Sequence, residues 1–149
     1  MKTFSLLSAF IVLSFVLASF IAPKANTISV YINGKTIPDN TVLTYEQTPT
    51  GLVISAKIPT GARYSQLTCV VPSTEEGNYP VTADSKAKIT YIPSLGTAFN
   101  SQGLDNAKGF IKVVSNKGDG GLRIEFECNM ANKGHKLALK TGKVQVSLE

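Results

Sequence analysis

From Thr27 onward, apolar and polar side chains alternate along most of the chain, the two-residue period that puts every second side chain on one face of a β-strand. Ile28, Val30 and Ile32 share one face, with Ser29 and Tyr31 on the other. Asn33-Gly34 follows at once, and this pair suits the positive φ that both central positions of a type I′ turn require. The chain is therefore predicted to reverse into Lys35 to Ile37. Pro38-Asp39-Asn40 predicts a turn, Thr41 to Gln47 a strand, and Thr48-Pro49-Thr50-Gly51 the next reversal. Leu52, Ile54, Ala56 and Ile58 again fall on one face. After Pro59-Thr60-Gly61 comes a strand from Tyr64 to Val71, in which Leu67, Cys69 and Val71 share a side.

A polar loop, Pro72 to Asn78, leads into a short strand from Tyr79 to Val81, predicted at a sheet edge because Pro80 has no N–H to give a ladder. Lys86 to Ile92 alternates, with Ala87, Ile89 and Tyr91 on one face. Pro93 to Asn106 is the longest stretch without clear periodicity. As a loop on a rigid scaffold it is the candidate binding segment, with Pro93, Ser94, Leu95, Phe99, Asn100, Gln102 and Asp105 as its candidate residues. The competing expectation is a plain crossover connection between two sheets. Ala107 to Val114 and Gly121 to Met130 predict strands joined by a reversal over Ser115 to Gly120. Leu122, Ile124, Phe126, Cys128 and Met130 face one way in the second. Gly134 turns the chain, and Leu137 to Lys140 and Val144 to Leu148 predict two final strands separated by Thr141-Gly142. No helical stripe is visible outside the leader. About eight to ten short strands predict an all-β fold, an antiparallel β-sandwich, with a small β-barrel as the alternative.

The first 25 residues break this pattern. Lys2 precedes an uncharged, largely apolar run from Phe4 to Ala22, followed by small residues, the layout of a secretory signal peptide. Cleavage is expected near residues 18 to 25, with Val16 and Ala18 suited to a cut before Ser19. At about 19 residues the run also reaches spanning length, so a retained anchor is the competing expectation, and a membrane is a partner only in that case. No cysteine precedes Cys69, which leaves no N-terminal site for a lipid anchor. Residues 26–149 then form one domain.

Hydrophobic residues are 43% of the chain and charged residues 17%, enough apolar material for a packed core and too little charge for a disordered one. The formal charge is +5, and two of the 15 basic residues, Lys2 and Lys24, fall in the leader. The other basic residues are spread along the chain without a run, so no nucleic-acid partner is expected. Export makes the two cysteines a predicted disulfide. Cys69 lies between Leu67 and Val71 and Cys128 between Phe126 and Met130, so both should point into the core, where two buried free thiols are the alternative.

Residues able to carry chemistry are sparse. His135 stands alone in Asn132-Lys133-Gly134-His135-Lys136, with no second ligand at metal spacing. Glu75-Glu76 are adjacent on a loop, and Glu125 and Glu127 lie on a solvent-facing side, poor settings for a cooperating acid and base. Lys117-Gly118-Asp119-Gly120-Gly121 offers one carboxylate where calcium takes six to eight oxygen ligands. No nucleophile elbow, phosphate loop or dinucleotide fingerprint occurs, so no enzyme, metal or cofactor is expected. Sugar binding would need exposed aromatic rings. The chain has no Trp, leaving Tyr31, Tyr45, Tyr64, Tyr79 and Tyr91 as candidates.

Tyr31-Ile32-Asn33-Gly34-Lys35, Gly77-Asn78-Tyr79, Lys88-Ile89-Thr90-Tyr91, Gly109-Phe110-Ile111-Lys112-Val113, Arg123-Ile124-Glu125-Phe126 and Thr141-Gly142-Lys143-Val144 occur in that order. In this order of motifs the chain resembles a group of small exported or lipid-anchored all-β proteins of unknown function from Bacteroidota, and it departs from many of them in lacking the lipid-attachment cysteine. The resemblance implies a fold and a location in the periplasm, at the cell surface or outside the cell, and no activity. The expected function is an exported, non-enzymatic binding or structural module whose partner is an envelope or cell-surface protein or a glycan. The alternatives are a carrier of a small apolar ligand in a sandwich or barrel cavity and a loop-mediated enzyme inhibitor.

Overall fold

A computed structural model describes residues 26–115 and 121–148. The leader and the reversal over residues 116–120, with the weighed calcium loop, lie outside the described residues. Eleven strands run in chain order: β1 (Thr27–Ile32), β2 (Lys35–Thr36), β3 (Val42–Gln47), β4 (Leu52–Thr60), β5 (Arg63–Val71), β6 (Gly77–Val81), β7 (Lys88–Ile92), β8 (Phe99–Asn100), β9 (Lys108–Ser115), β10 (Gly121–Asn132) and β11 (His135–Ser147). They form a six-stranded sheet ordered β2-β1-β11-β10-β9-β6 and a five-stranded sheet ordered β3-β4-β5-β7-β8, with every pairing antiparallel. Both sheets have free edges, so the fold is the expected sandwich and not a closed barrel.

Turn chemistry follows the sequence closely. Asn33 and Gly34 (φ 49° and 81°) join β1 to β2, and Lys133 and Gly134 (φ 48° and 80°) join β10 to β11, each a two-residue loop with both centres at positive φ. The Asn33 side chain also bridges to β11, accepting from the Ala138 N–H at 2.8 Å. Pro80 sits in β6, an edge strand, where its missing N–H costs no ladder bond.

The inward phase of each strand builds one core. Ile54, Leu67, Cys69 and Ile89 from the five-stranded sheet meet Ile111, Ile124, Phe126 and Leu139 from the other, all fully or nearly fully buried. Val81, Ala87, Phe99 and Ala107 belong to the same core, and Tyr45 and Tyr91, partly buried, pack against it. Each fully buried Val, Leu, Ile or Phe side chain among these contributes about 1.5–3 kcal/mol.

The strands differ from the sequence-based expectation at the short β8, which lies inside the segment expected to be a loop, and most of all at the C-terminus. The two final strands are one continuous 13-residue strand, β11, carrying a β-bulge. Phe126 pairs with Gly142 and Cys128 with Leu139, so two steps along β10 match three along β11; β1 shows the same offset between Ser29–Lys143 and Tyr31–Lys140. The extra residue swaps the strand's phase: Leu137 and Leu139 face the core before it, Val144 and Val146 after it. The Glu127 carboxylate holds the bulge, accepting from the Thr141 N–H at 3.2 Å and from Lys140 Nζ at 3.4 Å. Thr141 takes φ 51°, a left-handed conformation that a β-branched residue adopts at a cost. A Cβ on Gly142 would stand 2.5–2.7 Å from the buried Phe126 ring.

Two substitutions test this device in opposite directions. Gly142→Ala is expected to lower stability by about 1–3 kcal/mol, because the ring it meets is enclosed. Thr141→Gly, which relieves the left-handed strain, should be neutral or stabilising by up to about 1 kcal/mol. Urea melts at constant slope measure both; equal losses would mean that the bulge is not held in this geometry.

Candidate binding face

The inward phase of the five-stranded sheet faces the core; its outward phase faces away, and the register there aligns residues that are far apart in sequence. Val42, Lys57, Gln66 and Ile92 form one row across β3, β4, β5 and β7. The neighbouring row is Thr44, Ser55, Thr68, Thr90 and Asn100, a line of hydroxyls ending in an amide. Rows lie two residues apart along a strand, and neighbours within a row are about 4.8 Å apart. Tyr64 adjoins the first row on β5. With Val42, Lys57, Ser65, Gln66 and Ile92 it lines a shallow groove of about 440 Å³.

Among the described residues, five large hydrophobic side chains stand exposed: Tyr31, Val42, Tyr64, Ile92 and Leu95. Three of them, Val42, Tyr64 and Ile92, line this groove. Tyr64 is 64% and Leu95 72% exposed, and Leu95 lies on the segment that leaves β7, tethered to β5 by the Ser94 N–H donating to buried Ser65 Oγ at 3.0 Å. Scattered single apolar residues on a surface are ordinary, whereas a cluster beside a groove is informative.

The segment from Pro93 to Asn106 divides. Pro93, Ser94 and Leu95 follow directly on Ile92, with Leu95 exposed and none of the three lining the groove, while Phe99 is a buried core residue on β8, paired with Tyr91. Ser101 Oγ, fully buried, accepts from the Ile89 N–H, and Asn100 Oδ1 accepts from the Gln102 N–H. Asn106 binds both backbone groups of Ala131, and Asp105 beside it is exposed. The second half of the segment is thus a tied connection between sheets.

The tyrosines divide as well. Tyr45 donates to the Ser147 carbonyl at 2.6 Å and Tyr79 to the Glu75 carbonyl at 3.0 Å, and Tyr91 packs on the core. Tyr31 lines a second concavity, of about 260 Å³, with Pro38 and Lys143. His135 is exposed at the start of β11. Glu125 pairs with Arg123 at 3.5 Å and Glu127 with Lys140, within a basic outer face on the six-stranded sheet where Lys112, Glu125 and Lys143 share a row. Among the described residues no three of His, Cys, Asp and Glu converge on one point, and no helix is long and apolar enough to cross a membrane.

Cys69 and Cys128 occupy the places predicted for them, buried on the core side of β5 and β10, one in each sheet. In this structure they are free thiols and not the predicted disulfide. Burial pushes Cys69 from 9.0 up to about 12, and the nearby Cys128 adds to the rise because two thiolates would repel. Burial raises Cys128 to about 11. Comparison with protein-family models, curated proteins and solved structures found no match to this chain.

The raised thiols fix the sign of a pH effect. A thiol that stays protonated when folded but ionises near pH 9 when unfolded leaves reduced protein fully stable below that pH, with stability lost as pH climbs toward 12. Native reduced protein is expected to resist a disulfide-exchange reagent at pH 8 and to react at both sites in guanidinium. A Cys69→Ala/Cys128→Ala variant should lose less stability between pH 9 and 11 than the reduced parent, measured by denaturant midpoints; an equal loss would contradict the assignment.

Proposed function

We propose that this protein is an exported, non-enzymatic binding module that works through the outer face of its five-stranded sheet. The observation that carries it is the cluster of Val42, Tyr64 and Ile92, exposed together on one groove and making no contribution to the core. The apolar leader with its early Lys2 supports export, as does the resemblance to small exported β-proteins of Bacteroidota. Side chains from both sheets fill the space between them, which favours a surface site over a carrier's internal cavity.

Export also bears on the cysteines. The two core-facing thiols, one on each sheet, are the pair that a disulfide stapling the sandwich would join. In an oxidising compartment each sulfur would give up one proton and one electron to the exchange machinery there. Closing the intervening loop of about 58 residues corresponds to about 4 kcal/mol in the chain-entropy model.

Intact mass measurement on protein from the exported fraction is expected to show loss of the leader and of two hydrogens; a full-length mass would replace export with retention at a membrane. Purified leaderless protein should bind to envelope material of the producing cells and lose most of that binding in Tyr64→Ala, whose exposed ring is not needed for folding. Envelope binding untouched by Tyr64→Ala and by Ile92→Ser would remove this face as the site.

A further inference from the structure

The groove has a chemistry that selects among ligand classes. Its lining combines one exposed aromatic ring, Tyr64, two flanking aliphatic side chains, Val42 and Ile92, one amide, Gln66, and one cation, Lys57. The row beyond it is all hydroxyl and amide. Gln66 Nε2 reaches toward Thr68 Oγ1 at 3.5 Å, a weak bond that a better acceptor would displace. Apolar surface from Tyr64, Val42 and Ile92 interleaved with the polar Lys57 and Gln66 matches a molecule that is itself two-sided, with a C–H face on one side and hydroxyls around the rim. A pyranose ring has that form: its C–H face stacks on an aromatic ring, and its hydroxyls both donate and accept, as Ser, Thr and Gln side chains do. A lipid surface would leave the hydroxyl row facing acyl chains, and a protein partner of standard size needs about 800 Å² per side with a dry apolar centre.

Charge narrows the class further. No carboxylate lines the groove, and Lys57 stands in the middle of the row between Val42 and Gln66. We propose that this groove is a saccharide site for an acidic sugar, with the pyranose on Tyr64, its hydroxyls on Gln66 and its carboxylate on Lys57. The proposal rests on the binding-module reading and adds the ligand class to it. The groove volume of about 440 Å³ is within the range of small-ligand sites and accommodates one or two sugar units.

The test is a residue-resolved NMR titration of the leaderless protein with trigalacturonic acid, and with maltotriose as the neutral comparison. Saturable shifts confined to amides around Lys57, Tyr64, Gln66 and Ile92 are expected, with affinity at least tenfold weaker for maltotriose. Tyr64→Ala should weaken the acidic sugar at least tenfold, Lys57→Gln should abolish the preference for acid over neutral, and Lys112→Gln on the opposite face should change neither. Shifts centred on Lys112 and Lys143 would reveal unspecific attraction to the basic face and overturn the proposal. So would equal binding of maltotriose, or no saturable shift. If the sugar fails while Tyr64→Ala still abolishes envelope binding, the ligand class is wrong and the binding module stands. If envelope binding is also indifferent to Tyr64, both fall.

Discussion

The sandwich depends on one extra residue in β11. A strand whose side chains alternate strictly cannot present Leu137 and Leu139 together with Val144 and Val146 to the same core, because the two pairs have opposite parity. The bulge between Leu139 and Gly142 absorbs the difference, and it does so against both neighbours at once, shifting register with β1 and β10 at the same place. Without it, half of the longest strand would turn apolar side chains to water, and Val30, Ile124 and Phe126 would lose the surface they pack on. Glu127 and Gly142 are its two supports, one satisfying the N–H that the bulge frees, the other leaving room for the Phe126 ring.

That constraint propagates to the surface. Fixing which phase faces inward also fixes which faces outward, and antiparallel pairing then sets the rows. On the six-stranded sheet the outward phase carries lysines and glutamates, a solvated face whose ion pairs are half-exposed and contribute little to stability. On the five-stranded sheet the same rule leaves Val42, Tyr64 and Ile92 outside, although each would be accommodated in a core. These apolar side chains, in the polar phase of three strands of one sheet, line a single groove, and the proposed binding face rests on that convergence.

Much of the scaffold was legible because it is local. Asn33-Gly34, the edge position of Pro80 and the core-facing cysteines all follow from a few consecutive residues. The bulge was not, since a change of parity within a run looks like a break between two strands, and Thr141-Gly142 looks like the turn that would explain it. Phe99 and Ser101 were also hidden: one apolar residue in a polar stretch has no period, and Ser101 is buried only because it answers the Ile89 N–H. The candidate face was half visible. Ile92 could be seen on the lysine side of its strand and Tyr64 one residue out of phase with Leu67, but that Val42, Lys57, Gln66 and Ile92 form one line is a fact of register between four strands.

Strand β5 joins the two halves of this picture. Its inward side carries Cys69, and its outward side, separated by one backbone thickness, carries Tyr64 and Gln66. It is a central strand, hydrogen-bonded to β4 on one side and β7 on the other, so Tyr64 and Gln66 stand on a strand paired along both sides. A bond from Cys69 to Cys128 would tie that strand to β10, itself fixed by the bulge, and remove one more way for the platform to flex. Weak ligands such as single sugar units gain from that rigidity, because ordering a floppy surface on binding would consume much of the small free energy that one stacked ring supplies.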